Sequence, residues 1–222
     1  MRLLQAGRKQ ARHAYDYGRR ISSEALVERR WGTETAQSVK LDELGIEAAG
    51  RVHYEPSGWL DLRRVLSPRE VGPDDAFLDI GAGKGRVVLQ AARYRFRRVL
   101  GVELSPTLCE IATANVAARR RRLRCQDVVI VNDDATAYRV PDDVTVVYLY
   151  NPLRGPLFEA AIERLLESLD RTPRPLRVIY RTPMEEDLLL SSGRFQLTRT
   201  VRGLRPGRSW SRRMSTHVYT AE

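Results

Sequence analysis

"AFLDIGAGKGRVVLQAAR", residues 76–93, sets three glycines into five positions between two apolar runs. The first run, "AFLDI", is short and continuous, as a strand buried on both faces must be. The second, Arg86 to Arg93, reads as a helix. A strand, a glycine turn and a helix in that order open an α/β sheet whose ligand crevice lies at the carboxyl ends of the strands. Three ligand classes use such a turn. A phosphate loop needs G-x-x-x-x-G-K-[ST], but here Lys84 is followed by Gly85 and the loop has no Ser or Thr. A dinucleotide loop needs G-x-G-x-x-G, and the third glycine would fall at Arg86. What stands here is D-x-G-x-G-x-G, made of Asp79, Gly81, Gly83 and Gly85. Its glycines let the backbone turn tightly and approach a ligand. The helix opening at Arg86 points free N–H groups into the crevice, where they suit a carboxylate.

Downstream, apolar runs alternate with helical stretches. Strands are expected at 98–103, 128–132, 144–150 and 176–181, with helices at 107–122, 157–169 and 184–190 between them. Two runs of alternating character, 195–201 and 214–220, close the chain and predict an antiparallel hairpin at one sheet edge. The expected fold is a three-layer αβα sandwich on a seven-stranded, mostly parallel sheet. Residues 1–30 read as helix and 31–58 as turn-rich, so 1–58 is expected to be an N-terminal helical or cap segment and 59–222 the α/β domain. A short helix is expected from Trp59 to Leu66, ending before Ser67-Pro68.

Further signals stand in step with the glycine loop. Glu103 ends the second strand, 22 residues after Gly81. An acid about 20 residues on is where a ribose hydroxyl pair is held in such sheets. Ser105-Pro106 reads as N-cap and first position of the next helix. After the third strand comes "NDDATAY", with Asp134-Ala135 at a turn. The fourth strand runs into "YLYNPLRG", with Asn151 and Pro152 at its tip.

In this pattern the chain resembles the class I S-adenosylmethionine (SAM) methyltransferases over residues 50–220. It is similar to small bacterial members with an Asn-Pro-Phe-like fourth-strand end, and more distantly to Dot1-type lysine methyltransferases. The resemblance implies a strand order of 3-2-1-4-5-7-6, SAM as cofactor and S-adenosylhomocysteine as product, with no metal. It puts Asp79, Gly81, Ala82, Gly83 and Gly85 along the methionine part, Asp79 meeting the ammonium. Glu103, with Leu104 beside it, receives the ribose, and Asp134 with Ala135 the adenine amino group. Asn151-Pro152 stands where amino-group methyltransferases carry [D/N/S]-P-P-[Y/F/W]. There the Asn oxygen and a backbone carbonyl align the target nitrogen for in-line displacement, and alignment supplies much of the rate. Asn151 also borders the cofactor. Here one proline is missing and Leu153 replaces the aromatic residue, which weakens a planar-base acceptor and leaves an aliphatic or protein amine. Tyr54, in "HYEPSGW", is expected to face the methionine part, where a ring favours a sulfonium.

Composition bounds the rest. At 222 residues with 42% apolar and 30% charged residues, the chain is one ordinary globular domain. Neither a membrane-spanning run nor a signal peptide is read from it. Cys109 and Cys125 read as reduced thiols of a cytoplasmic protein. The net charge of +10 suggests nucleic acid, but only three of 38 basic residues are lysines, an arginine bias that a GC-rich genome also produces. The run "ARRRRLR" (118–124) ends a helix and so lies away from the crevice. The loop 201–213 should hang over its rim, where Arg205, Arg208 and Trp210, together with Arg154, would meet an acidic peptide, a carboxylate or RNA. The expected function is methyl transfer to a nitrogen of a protein side chain or a small-molecule amine. An RNA methyltransferase using the arginine rim and a non-catalytic SAM-binding regulator are the alternatives.

Overall fold

The computed structural model describes residues 11, 14–18, 21–22, 24–203, 212 and 214–221. Its central strand, β1 (Ala76–Ile80), is buried at every position, as a strand covered on both faces must be. Around it stand β2 (Arg98–Glu103), β3 (Val128–Asn132), β4 (Val144–Leu149), β5 (Leu176–Arg181), β6 (Gln196–Val201) and β7 (Thr216–Ala221) in the order β3-β2-β1-β4-β5-β7-β6. The first five strands are parallel, with Asp79 beside Gly101 on one side and Tyr148 on the other. β7 runs antiparallel between β5 and β6. This is the expected topology.

Alternate residues of β1 feed two cores. Phe77 packs on one face with Leu62, Val88, Val99 and Val116. These come from α1 (Asp61–Val65), α2 (Arg86–Ala91), β2 and α3 (Pro106–Arg119). Leu78 and Ile80 pack on the other face against Phe158, Ile162, Leu165 and Leu169 of α4 (Pro156–Arg171). Those residues recur at three- and four-residue spacing, the stripe a surface helix buries. Each such side chain contributes about 1.5–3 kcal/mol. Ser105 caps α3 by accepting from Leu108 N, with Pro106 at the first helical position, as the sequence implied. A short α5 (Glu186–Ser191) precedes β6.

The described residues before 24 are helical, and a π-turn Glu24–Glu28 runs into a helical turn Arg29–Trp31. Residues 33–58 are turn-rich, as expected, and are laid against the sheet. Val39 bridges to Tyr54, and Arg51 bridges to Leu153 just beyond β4. No described helix is long and apolar enough to cross a membrane.

Candidate cofactor and active site

A cleft opens over the carboxyl ends of β1, β2 and β4. Its walls include Asp79, Gly81, Ala82, Glu103, Leu104, Asp134, Ala135, Asn151 and Pro152, with Tyr54 from the N-terminal segment. The sheet order brings them together from stretches up to 98 residues apart. The glycine loop is shaped by steric need. Gly81, Gly83 and Gly85 all hold positive φ, a region that L side chains avoid. A Cβ on Gly81 would lie 2.6 Å from Pro152 Cβ, and one on Gly83 would lie 2.2 Å from the Tyr54 ring. The missing side chains therefore admit the β4 tip and the Tyr54 ring against the loop. Tyr54 donates its hydroxyl to Thr35 O at 2.8 Å, which fixes the ring there.

Asp79 is 3% exposed. It borders the cleft, and its carboxylate accepts no hydrogen bond from the described residues. Burial, reinforced by Glu103, holds its carboxyl well above the usual carboxylate range. A carboxylate so placed is short of a cation, and a ligand ammonium is the group it fits. Glu103 accepts from Gly83 N (2.8 Å) on one oxygen and from Ser105 N (2.9 Å) on the other. Burial raises its pKa against the pull of those amides. Each oxygen keeps a further lone pair for a hydroxyl. The donor set thus fits SAM, which carries one ammonium, two ribose hydroxyls and no phosphate.

Other sites differ in detail from the sequence expectation. Asp134 borders the cleft, but its Oδ2 takes Arg51 Nη2 at 2.7 Å and its Oδ1 takes both N and Oγ1 of Thr136. Burial raises its pKa, and these bonds together outweigh burial and lower it. Asp133, its neighbour, is exposed at the same wall. Asn151 is held at φ +54°, and Thr182, just past β5, at +52°. Both sit at the carboxyl edge of the sheet in a region that non-glycine residues adopt only rarely. Asn151 Oδ1 accepts from Arg154 (2.9 Å), Tyr180 OH (3.1 Å) and Met184 N (3.4 Å). Pro152 O accepts from Val52 N at 3.1 Å and retains one lone pair. Arg154, expected as a free rim cation, is tied to Asn151 and to Glu185 at 3.7 Å. Arg205, Arg208 and Trp210 lie outside the described residues.

Sequence reasoning missed Arg86. It served there only to exclude a dinucleotide loop. In the structure it is buried and donates to Thr35 Oγ1 (2.7 Å), Ser57 O (2.8 Å) and Glu28 Oε1 (3.0 Å). Its guanidinium lies 4.9 Å from the Trp59 ring. Lys84 pairs with Glu34 at 2.6 Å, and Asn115 bonds both Glu34 and Lys84 backbone groups. Two cations of the glycine loop therefore anchor the N-terminal segment, and with it Tyr54, over the cleft.

Residues 77–175 match a family profile described as a methyltransferase domain. The strand order around this segment, β3-β2-β1-β4-β5-β7-β6, is that of the class I methyltransferase fold. The match runs from β1 to the residue before β5 and includes the glycine loop, Glu103, Asp134 and Asn151. SAM is the cofactor of such a domain. Among curated proteins, the chain is 33% identical over 66 residues to a protein-lysine N-methyltransferase of Saccharolobus islandicus, covering 29% of this chain and 41% of that protein. It is 31% identical over 115 residues to ribosomal RNA small subunit methyltransferase A of Synechococcus, covering 51% of this chain and 40% of that protein. The chain thus spans about two fifths of the length of these relatives. Among solved structures, a precorrin 8W decarboxylase of Methanobacterium thermoautotrophicum superposes with TM-score 0.54 at 20% identity, over 76% of this chain and 92% of the other. An rRNA methylase from Streptococcus thermophilus gives 0.51 at 13%, over 75% and 97%. These two likenesses concern the fold.

Proposed function

We propose that the protein is a SAM-dependent methyltransferase acting on a nitrogen of a protein side chain or a small-molecule amine. The observation that carries the cofactor half is Asp79, a buried carboxylate at the cleft wall with no donor of its own. SAM supplies an electrophilic methyl group on a sulfonium, and its loss leaves S-adenosylhomocysteine. Asp79 holds the ammonium, and Glu103 orients the ribose hydroxyls while its own position is fixed by Gly83 N and Ser105 N. Tyr54, pressed on Gly83, excludes water and offers a ring face to positive charge. Asn151 and Pro152 align the acceptor nitrogen. The spare lone pair of Pro152 O is the acceptor site for its N–H, and Asn151 fixes that carbonyl through its own bonds to Tyr180 and Arg154.

The nitrogen reading is supported at the mouth of the cleft. Tyr54 and Tyr150 line it together with Glu55. Tyr150 OH meets Glu55 at 3.3 Å. Aromatic faces and a carboxylate favour an amine that arrives charged and must shed a proton before its lone pair can attack. Leu153, packed in the core, offers no ring for stacking a base. The relative acting on protein lysine agrees with this reading. RNA as acceptor is the second reading, favoured by the longer match to a ribosomal RNA methyltransferase. The buried free thiols of Cys109 and Cys125 accord with a cytoplasmic setting. Residues 33–58 act as a cap that forms one cleft wall. A labelled-methyl transfer screen of cell extract, before and after ribonuclease and protease, tests the acceptor. Label in protein or small amines agrees with the first reading, and label in ribonuclease-sensitive material overturns it.

A further inference from the structure

On the opposite edge of the sheet from the cleft, four arginines surround one tryptophan. Arg30, Arg93, Arg119 and Arg122 line a pocket with Trp31, floored by Leu89 and Leu123. Arg93 follows the end of α2, and Arg119 is the last residue of α3. α3 runs back from the cleft for 14 residues, which sets the pocket about 20 Å from the cofactor end.

The guanidinium carbons of Arg119 and Arg93 lie 4.5 and 5.4 Å from the Trp31 ring centroid. The ring is itself fixed edge-on against Trp59 at 4.8 Å. Among the described residues, none of the four guanidinium groups pairs with a carboxylate or donates to a protein acceptor. Glu28, the nearest acid in sequence to Arg30, is spent on Arg86. Burial, then the charges of Arg122 and Arg93, lowers the pKa of Arg119. This arrangement differs from a solvated helix end. A carboxylate partner would cancel the charge and consume the N–H donors. A ring face holds the cation by its quadrupole and leaves the donors in the guanidinium plane free. The result is a preset fork of donors with charge to spare, the chemistry that receives phosphate oxygens.

We propose that this pocket binds the phosphodiester backbone of an RNA strand, as an anchoring site separate from the methyl-transfer cleft. The basic surface continues past the pocket through exposed Arg95, Arg120, Arg121 and Arg124. A run of spaced cations matches a backbone with one charge per residue better than it matches a single anion. A concave pocket admits a flexible strand that bends into it, and RNA is the single strand a cell holds in quantity. The proposal does not depend on the identity of the methyl acceptor.

The test is fluorescence anisotropy with a labelled oligouridine RNA across a salt series. Arg93→Ala with Arg119→Ala is expected to weaken binding at least tenfold. Two lost contacts should also flatten the slope of log K against log salt by ~1.4. Arg30→Glu with Arg122→Glu, two exposed positions outside the cation–π pairs that Arg93 and Arg119 make with Trp31, should do the same. SAM binding by calorimetry should be unchanged in both variants, which shows that they are folded. Unchanged RNA affinity in both variants would overturn the proposal. So would tighter binding to the matched DNA oligonucleotide or to poly-glutamate than to the RNA.

Discussion

Asp79→Asn separates ligand binding from stability at one atom. In the free protein the Asp79 carboxyl is buried beside Glu103, and its pKa is raised. A group with a raised folded pKa contributes stability that is fully present below its unfolded value, near 3.9 for Asp, and is lost as pH rises through the folded value. Asparagine cannot ionise. The free variant should therefore melt above the wild type, by a gap that widens as pH rises from mildly acidic to neutral. Each pKa unit by which the folded carboxyl stands above its unfolded value costs the wild type about 1.4 kcal/mol once the carboxyl must ionise, a cost the amide escapes. A domain of this size moves about 2–4 °C per kcal/mol, so a gain of a few degrees is expected. SAM affinity should move the other way. Losing a hydrogen bond to a charged partner costs about 1.5–3 kcal/mol, or roughly 10- to 150-fold in Kd. The wild type should also bind SAM more tightly as pH rises, because the ammonium draws a proton off Asp79. That part of the pH dependence disappears in the variant, while any slope from Glu103 stays in both. Differential scanning fluorimetry and calorimetry over one pH series read both effects. If the variant melts lower than the wild type at neutral pH, or binds SAM as tightly, the account of Asp79 is wrong.

Three further outcomes follow from the same geometry. Asn151→Gly keeps the left-handed backbone but removes the acceptor of Arg154 and Tyr180, so methyl transfer should fall at least tenfold with SAM affinity held. Undiminished turnover would show that Asn151 does not align the acceptor. Gly83→Ala puts a Cβ into the Tyr54 ring and should weaken SAM binding, and Tyr54→Ala in the same chain should restore part of it; no rescue would separate the two residues. Arg86→Ala leaves Glu28 buried without its cation, which costs about 3–5 kcal/mol, and Glu28→Gln added to it should recover much of the loss by thermal melting.

The strand positions and the glycine turn were legible because each depends on local pattern, whereas the sheet order came with the family resemblance. Apolar runs mark the strands, and the glycine spacing excludes two ligand classes by single residues, Gly85 after Lys84 and Arg86 in place of glycine. Partners brought from far along the chain were not legible. Nothing near Arg86 in sequence indicates Glu28, 58 residues earlier, and the loop reading asked only whether a cation was needed for phosphate. The same holds for Asp134, whose carboxylate meets Arg51 83 residues away, and for Asn151, whose oxygen is filled by Tyr180 from the next strand. Sequence identified these residues by type and place. Their unused bonding capacity depends on tertiary packing.

The central claim is that the D-x-G-x-G-x-G cleft holds SAM by two carboxylates. The most direct measurement is isothermal titration calorimetry of SAM into the wild type and into Glu103→Ala and Asp79→Asn. The account predicts a saturable heat at one site in the wild type, weakened at least tenfold in each variant. An absence of binding heat in the folded wild type across several temperatures, or equal affinity in all three proteins, would contradict it.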